Sequence, residues 1–405
     1  LRIALITYEY PPDTSVGGIA TYARQAARLL ASRGHDVHVF AGSPRSDDAF
    51  NDGGATVHRV RLDDRAIFPD AVVGPFMTEH RRKAFDVIEG PDFMAEAGPS
   101  AAAAPETALV VKLHMGMNLI RWTEARGLSA AQRMRLRLRA VRWRTKPMWH
   151  PGYPDHAVER RHAVAADEIV APCRAIKTVA VRLWKIDPAR VSVLPNPFGP
   201  TPELLAVDGG PEDVVSYVGR LEPRKGVVDF IDAVRPILAS RPAAVFNLIG
   251  RSLHSPMGGD MRQFLIDRLG GNTAVRFVDP VPNDQIPAIL AATTVCVFPS
   301  LWENFPNVCL EAMAAGRAIV ASSAGGMPDM LADGRAGRLV PPRAPKAIAA
   351  AVVELLSDPA LRRSLGQAAR CRVLSEYGPD QVGPAMEQSY ERAIDRAARR
   401  GRSAA

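Results

Sequence analysis

The stretch "RIALITYEYPPDTSVGGIATYARQAARLLASRGHDVHVF", residues 2–40, decides the fold class. "RIALITY" (2–8) is a short apolar run of strand type, and "PPDTSVGG" (11–18) is a turn-rich loop ending in two glycines. "IATYARQAARLLASRG" (19–34) places Ile19, Tyr22, Ala26, Leu29 and Leu30 at helical spacing, with Gly34 as the stop. "DVHVFAG" (36–42) is the next strand. A strand, helix and strand joined this tightly form a βαβ unit, which predicts a parallel sheet covered by helices.

The same alternation runs outward from this unit. "TALVVKLH" (107–114) and "ADEIVAP" (166–172) read as later strands of the same layer. The Pro- and Gly-rich stretch "VSVLPNPFGPTPELLAVDGGPED" (191–213) breaks the pattern and marks a linker. Alternation resumes with "DVVSYVG" (213–219), "GVVDFIDAVRPIL" (226–238) and "AAVFNLIG" (243–250), and continues through "VCVFPS" (295–300), "VCLEAMAAG" (308–316) and "AIVASS" (318–323). The expectation is an α/β protein of two doubly wound Rossmann-like parallel-sheet domains facing a cleft. The first spans 1–197, the linker 198–213 and the second domain 214–383, while an amphipathic helix over 384–400 packs back on the first.

A chain of 405 residues exceeds one comfortable hydrophobic core, in keeping with two domains. Its 47% apolar and 23% charged composition belongs to a globular protein rather than a disordered one. Cys173, Cys296, Cys309 and Cys371 are widely spaced with no C-x-x-C pair, which argues against a zinc site or a disulfide framework and suits a reducing cytoplasm. The first apolar run is too short and wrongly flanked for a signal peptide, and no run is long enough to span a membrane. The net charge of +8 is local, since "RMRLRLRAVRWRTK" (133–146) holds seven basic residues and no acid.

Ligands of open α/β sheets sit where strands end and helices begin, and several such loops carry suitable chemistry here. "GRLEPRKG" (219–226) sets Arg220 and Lys225 just past a strand, where two fixed cations can neutralise a diphosphate without a metal. A solvated loop with an Arg–Glu surface pair is the competing reading. Gly17 and Gly18 enter a helix whose N-terminus favours anions; a plain turn competes. In "WENFPNVCLEAMAAG" (302–316), Glu303 falls in the loop after a strand, Pro306 suits the start of a helix and Glu311 lies inside it. The two carboxylates invite an acid/base pair, and a solvated helix face is the other reading. His114 closes the strand "VVKLH", a position more often structural than catalytic. The chain has no D-x-D, G-x-G-x-x-G, P-loop, G-x-S-x-G or H-E-x-x-H motif.

Taken in order, "YEYPPDTSVGGIATYARQAARLLASRGHDVHVF", "VSYVGRLEPRKGVVDFIDAV" and "FPSLWENFPNVCLEAMAAGRAIVASSAGGMPDML" resemble the diagnostic blocks of the retaining glycosyltransferases of family 4, which have the GT-B fold. The resemblance implies a metal-independent hexosyltransferase of polysaccharide or glycoconjugate biosynthesis, using a UDP- or GDP-sugar as co-substrate and no cofactor. It implies that Arg220 and Lys225 bind the donor diphosphate and that Gly17 and Gly18 approach it. Glu303 and Glu311 match the family's E-x7-E motif, the first contacting the donor sugar and the second the ribose. Asn304, Phe305, Pro306, Asn307 and Val308 would supply backbone contacts, and His114 would line the sugar site. Asn196–Pro197, Asp279 and Asp329 depart from the family's usual residues, so the base and sugar stay open. A GT-B sugar-nucleotide epimerase or phosphorylase, or a non-catalytic sugar-nucleotide-binding protein, shares the fold.

The acceptor is open among a glycan, a lipid-linked and a small-molecule hydroxyl. The basic segment 129–149 interleaves arginines with Met134, Leu136, Leu138, Val141 and Trp143. It reads as a core helix with a solvated face, as a peripheral contact with anionic lipid at the inner face of the membrane, or as the lining of an acidic acceptor site. Nucleic acid is the weakest partner, because no basic–aromatic platform accompanies the charge.

Overall fold

Strand β1 (Arg2–Ile6) pairs in parallel with β2 (Asp36–Ser43), Ile3 facing Val37 and Leu5 facing Val39. The glycine-entered helix Gly18–Ser32 joins them and buries Ala23, Ala26, Leu29 and Leu30. The computed structural model describes residues 1–14, 17–114, 116, 120, 134, 135, 137, 138, 154–256 and 258–404. The basic segment 129–149, apart from 134, 135, 137 and 138, lies outside the described residues.

The described residues form two units. One takes the described residues up to Ile120, then 154–199 and 377–404; the other takes 134, 135, 137, 138 and 200–376. The first contains an eight-stranded sheet, to which β3 (Ala49–Asp52), β4 (Ala55–Arg61), β5 (Val87–Pro91), β6 (Ala108–Lys112), β7 (Glu168–Ala171) and β8 (Val191–Val193) contribute the rest, in the order β3-β4-β2-β1-β5-β6-β7-β8. Seven of the strands run parallel. β3 departs from that pattern by turning back antiparallel on β4. The turn is Gly53–Gly54, with φ of +63° and +95°, conformations open to glycine that give a two-residue hairpin. Asp52 beside it accepts hydrogen bonds from Tyr10, Arg24 and Arg28, which anchors the hairpin to the sheet.

The long C-terminal helix Pro379–Ala404 belongs to this first unit and starts five residues before the expected position. It buries Val382, Met386, Tyr390 and Ala393 in the core formed by β1, β2 and the helix Gly18–Ser32. Arg392 and Arg396 pair with Glu168 at the start of β7. A helix that packs through buried side chains, with ion pairs at its margins, is an integral layer of the unit.

The second unit has a six-stranded, wholly parallel sheet of β9 (Val214–Val218), β10 (Val245–Ile249), β11 (Val275–Val278), β12 (Val295–Phe298), β13 (Ala318–Ser322) and β14 (Arg338–Val340), ordered β11-β10-β9-β12-β13-β14. Its core joins Val215, Tyr217, Phe246, Leu248, Val297 and Val320 of the strands to Phe230, Val234, Val352 and Leu355 of the covering helices. Strands covered on both faces are apolar almost throughout, which is why they were legible as continuous runs. Among the described residues no helix is long and apolar enough to cross a membrane.

Candidate functional site

Each sheet reverses its strand order once, between β1 and β5 in the first unit and between β9 and β12 in the second. Loops leaving such neighbouring strands diverge to opposite faces and open a crevice at their carboxyl ends. The candidate residues lie at these two places.

In the second unit, β9 gives way to Gly219–Glu222, a 3-10 turn over Pro223–Lys225, and Gly226 at φ +71°. A β-carbon on Gly226 would stand 2.0 Å from the Pro299 carbonyl oxygen, so the glycine lets this loop press against the loop after β12. The contact brings Lys225 onto Glu303: its Nζ bonds Glu303 Oε1, which also accepts from Ser300 Oγ at 2.9 Å. Arg224 Nη1 lies 3.9 Å from the same oxygen, and its Nη2 donates to Glu222 Oε1 at 2.7 Å. Burial pushes the Glu303 carboxyl up, but Lys225, Arg224 and the Ser300 hydroxyl outweigh it and hold the group below its usual value. Burial pushes Lys225 down against the pull of Glu303. The direction at Glu303 defines the pair, a carboxylate facing an ammonium.

Arg220 takes a different position. It is about half exposed and pairs with Glu222 at 3.2 Å, so its fork reaches the open side of the loop while Arg224 is buried beneath. The residues therefore separate one surface cation, Arg220, from two seated ones. A surface pair of this kind contributes little to stability.

After Glu303 the chain enters the helix Asn307–Ala314, capped by Pro306. Pro306 O accepts from the amides of Cys309 and Leu310, whereas those of Asn307 and Val308 have no acceptor among the described residues. Free N–H groups at a helix start favour an anion or a polar oxygen. Asn304 Nδ2 and Asn307 Oδ1 are buried and unpaired in the same turn, although Asn304 Oδ1 accepts from the Trp302 indole at 3.0 Å. The side chains of Phe305, buried, and Val308, half-buried, pack, which leaves any ligand contact at this turn to the backbone.

Glu311 lies four residues into that helix, half-buried, with no hydrogen-bond or ionic partner for its carboxyl among the described residues. Burial alone raises its pKa from 4.5 to about 7. The folded protein thus binds this proton more tightly than the unfolded chain does. The associated stability is complete below pH 4.5 and is lost as pH rises through about 7. Glu311→Gln is expected to flatten that decline. Urea midpoints of both proteins across the window check it, and parallel curves would remove the burial argument.

In the first unit, Gly17 and Gly18 are exposed at the start of the helix Gly18–Ser32, which has no side-chain cap. A β-carbon on Gly18 would meet nothing within 4 Å, so the space before it is open. His114 follows β6, its backbone N–H held by Asp92 Oδ1 at 2.8 Å and its ring edge-on to Tyr22 at 4.9 Å. Burial, with the Lys112 charge, pushes its pKa down to about 3, so the imidazole is neutral and can share hydrogen bonds but carries no charge.

Beneath His114 lies a buried polar cluster that the sequence reading missed. Glu89 accepts from Tyr22 at 2.6 Å and from Tyr390 of the C-terminal helix at 2.7 Å. Lys112 Nζ donates to Leu194 O at 2.8 Å and lies over the Tyr22 ring. Glu89 and Lys112 are 23 positions apart and Tyr390 far beyond both, so no local pattern announces them. Arg224, Ser300 and Gly325 were missed in the second unit, Arg224 because loop spacing does not tell which cation turns inward. Asp279, one of the departures from the family pattern, forms an exposed pair with Arg262 at 2.6 Å. Among the described residues no group of three His, Cys, Asp or Glu side chains is placed to hold a metal ion.

Residues 212–358 match the family described as Glycosyl transferases group 1, and residues 17–197 match the Glycosyl transferase 4-like domain. The chain is 27% identical to a glycogen synthase of Mycobacterium tuberculosis over 96% of its own length and 94% of that protein's. Among solved structures, sucrose-phosphate synthase from Thermosynechococcus elongatus superposes with a TM-score of 0.72 at 23% identity, covering 97% of this chain and 99% of that one. Anabaena HepE, solved in complex with UDP and glucose, gives 0.67 at 19% identity, covering 96% and 99%.

Proposed function

Because this chain belongs to the group 1 glycosyltransferases with a 4-like N-terminal domain, and is a hexosyltransferase of GT-B fold, we propose that it moves a hexosyl unit from a nucleotide diphosphate sugar to an acceptor hydroxyl with retention of the anomeric configuration. The donor is a UDP- or GDP-sugar; the UDP and glucose bound by the neighbouring HepE structure favour the uridine form. The acceptor hydroxyl belongs to a glycan, a lipid-linked sugar or a small molecule. We place the reaction in the cytoplasm, to which four free cysteines are suited.

The observation that carries this reading is the Lys225–Glu303 pair at the β9/β12 reversal, beside the surface cation Arg220 and the acceptor-free amides of Asn307 and Val308. In the reaction the bond from the anomeric carbon to the diphosphate oxygen breaks, and its electron pair leaves with the diphosphate. The acceptor oxygen bonds the anomeric carbon on the same face, and its proton passes to the leaving phosphate oxygen. Negative charge therefore grows on the diphosphate, where Lys225 and Arg220 stabilise the transition state more than the bound donor. The assignment calls for no metal. Glu303 binds hydroxyls of the sugar, Glu311 the ribose, and neutral His114 offers a hydrogen bond to the sugar.

Donors offered singly without acceptor test the proposal. One nucleotide sugar is expected to be hydrolysed to nucleoside diphosphate and free sugar, the fresh sugar carrying the donor's anomeric configuration by NMR. Inversion at that carbon would overturn retention. Isomerised nucleotide sugar would establish an epimerase, phosphate-dependent cleavage a phosphorylase, and tight binding without turnover a sensor.

A further inference from the structure

A second concave surface lies at the opposite edge of the second unit's sheet. Thr293 and Thr294 immediately precede β12, Arg317 immediately precedes β13, and Asp208–Glu212 lead into β9, so the cavity faces the amino ends of strands whose carboxyl ends carry Lys225 and Glu303. Its volume of about 660 Å³ is within the range of small-molecule sites. Arg317, Arg362, Arg363 and Arg370 line it, with Asp208 and Glu212 as the acidic groups.

Three of the arginines are held in place by neutral acceptors. Arg317, only 9% exposed, donates through Nε to Ala315 O at 3.1 Å and through Nη1 to Gly209 O and Thr293 O. Arg370 donates to Ala314 O at 2.7 Å and to Val207 O at 2.9 Å, and Arg362 to Leu355 O and Leu356 O at 2.9 Å. Among the described residues none of these three forms an ion pair, whereas the buried Arg2 and the half-buried Arg65 and Arg224 each meet carboxylates. Arg317 Nη2, Arg370 Nη1 and Arg362 Nη2 are without an acceptor there. Burial and the neighbouring charge of Arg370 both oppose the charge on Arg317, and Asp208 only partly relieves it. Carbonyl dipoles orient a guanidinium but do not cancel its charge. Fixed, like-charged forks around an open cavity are matched to a multiply charged oxyanion.

We propose that this cavity binds a phosphorylated small molecule, separately from the donor and independently of the activity assigned above. The ligand would tie the segment Asp208–Glu212 to the start of the helix Pro359–Glu376.

The probe is inorganic pyrophosphate, titrated calorimetrically into the full chain at ionic strength held constant with sodium chloride. Arg220→Ala/Lys225→Ala/Glu303→Gln serves as the background, since it removes both cations assigned to the diphosphate at the other edge. Binding is expected to persist there and to weaken by at least about tenfold when Arg362→Gln and Arg363→Gln are added. Arg363 is exposed, so Arg363→Gln alone should leave thermal unfolding in chloride unchanged, whereas Arg362→Gln also gives up its bonds to Leu355 O and Leu356 O; Arg317→Gln is a second variant that removes the buried fork. Equal pyrophosphate affinity with and without the Arg362/Arg363 changes would overturn the proposal. So would loss of all binding in the Arg220→Ala/Lys225→Ala/Glu303→Gln background, which would assign the anion to the donor edge alone.

Discussion

Lys225→Ala is expected to lower turnover by about 10²–10³-fold while donor affinity stays within about threefold. The reason is where its charge sits. Lys225 Nζ is fixed on Glu303 in a half-sealed loop junction, with Arg224 behind and Ser300 alongside. A cation already oriented there pays no reorganisation when the diphosphate gains charge, and the low local polarity magnifies its effect. The same change strands the Glu303 carboxylate, at a stability cost of about 2–3 kcal/mol. That cost stays below the full penalty of a broken buried pair, because Arg224 at 3.9 Å and the Ser300 hydroxyl remain. Lys225→Ala/Glu303→Gln separates the two effects: it should regain the melting temperature without regaining the rate. Turnover of Lys225→Ala within about threefold of wild type would remove Lys225 from the mechanism. Full recovery of rate by the double variant would show that neither the Lys225 charge nor the Glu303 carboxylate is needed for transfer.

Gly325→Ala should be among the most damaging changes of a single methyl in the second unit. Gly325 has φ +72°, and a β-carbon there would lie 1.9 Å from the Glu303 carbonyl oxygen, which also accepts the Gly326 amide at 2.8 Å. The loop after β13 thus supports the back of the loop that presents Glu303. Gly334→Ala provides the control: φ is +98°, but nothing lies within 4 Å of the added carbon. Its cost should be backbone strain alone, about 1–2 kcal/mol. Gly325→Ala adds displacement of backbone against backbone and should exceed the control by about 2 kcal/mol or more, with turnover falling as Glu303 shifts. Denaturant midpoints and donor hydrolysis measured on the pair check this. Equal midpoints would mean that the loop can retreat and that the support is dispensable.

How far the sequence could be read varied with position. The βαβ start and the apolar runs of β9, β12 and β13 were legible because strands covered on both faces need apolar residues throughout. The β3–β4 hairpin was not read, since its turn depends on the positive φ of Gly53 and Gly54 within a mixed polar run. Glu89 inside β5 breaks the apolar pattern and is tolerated because two distant tyrosines, Tyr22 and Tyr390, donate to it. Of the loop cations, position in sequence singled out Arg220 and Lys225 equally. The 3-10 turn and Gly226 then placed Lys225 and Arg224 inside and left Arg220 at the surface.

The chain's own pattern of apolar period, glycine and proline determined two α/β halves and put the charged residues at strand ends. Those are local consequences of backbone geometry, and each is complete within about forty residues. Tertiary structure decided which charges meet, which are buried and which protons they keep. Glu303 is held ionised by Lys225 and Arg224 from another loop, while Glu311, eight residues on, is left without a partner and pushed up to about 7. The two glutamates are chemically identical in sequence. Desolvation and charge act through space, so only the folded chain makes one an anion and the other a poised acid.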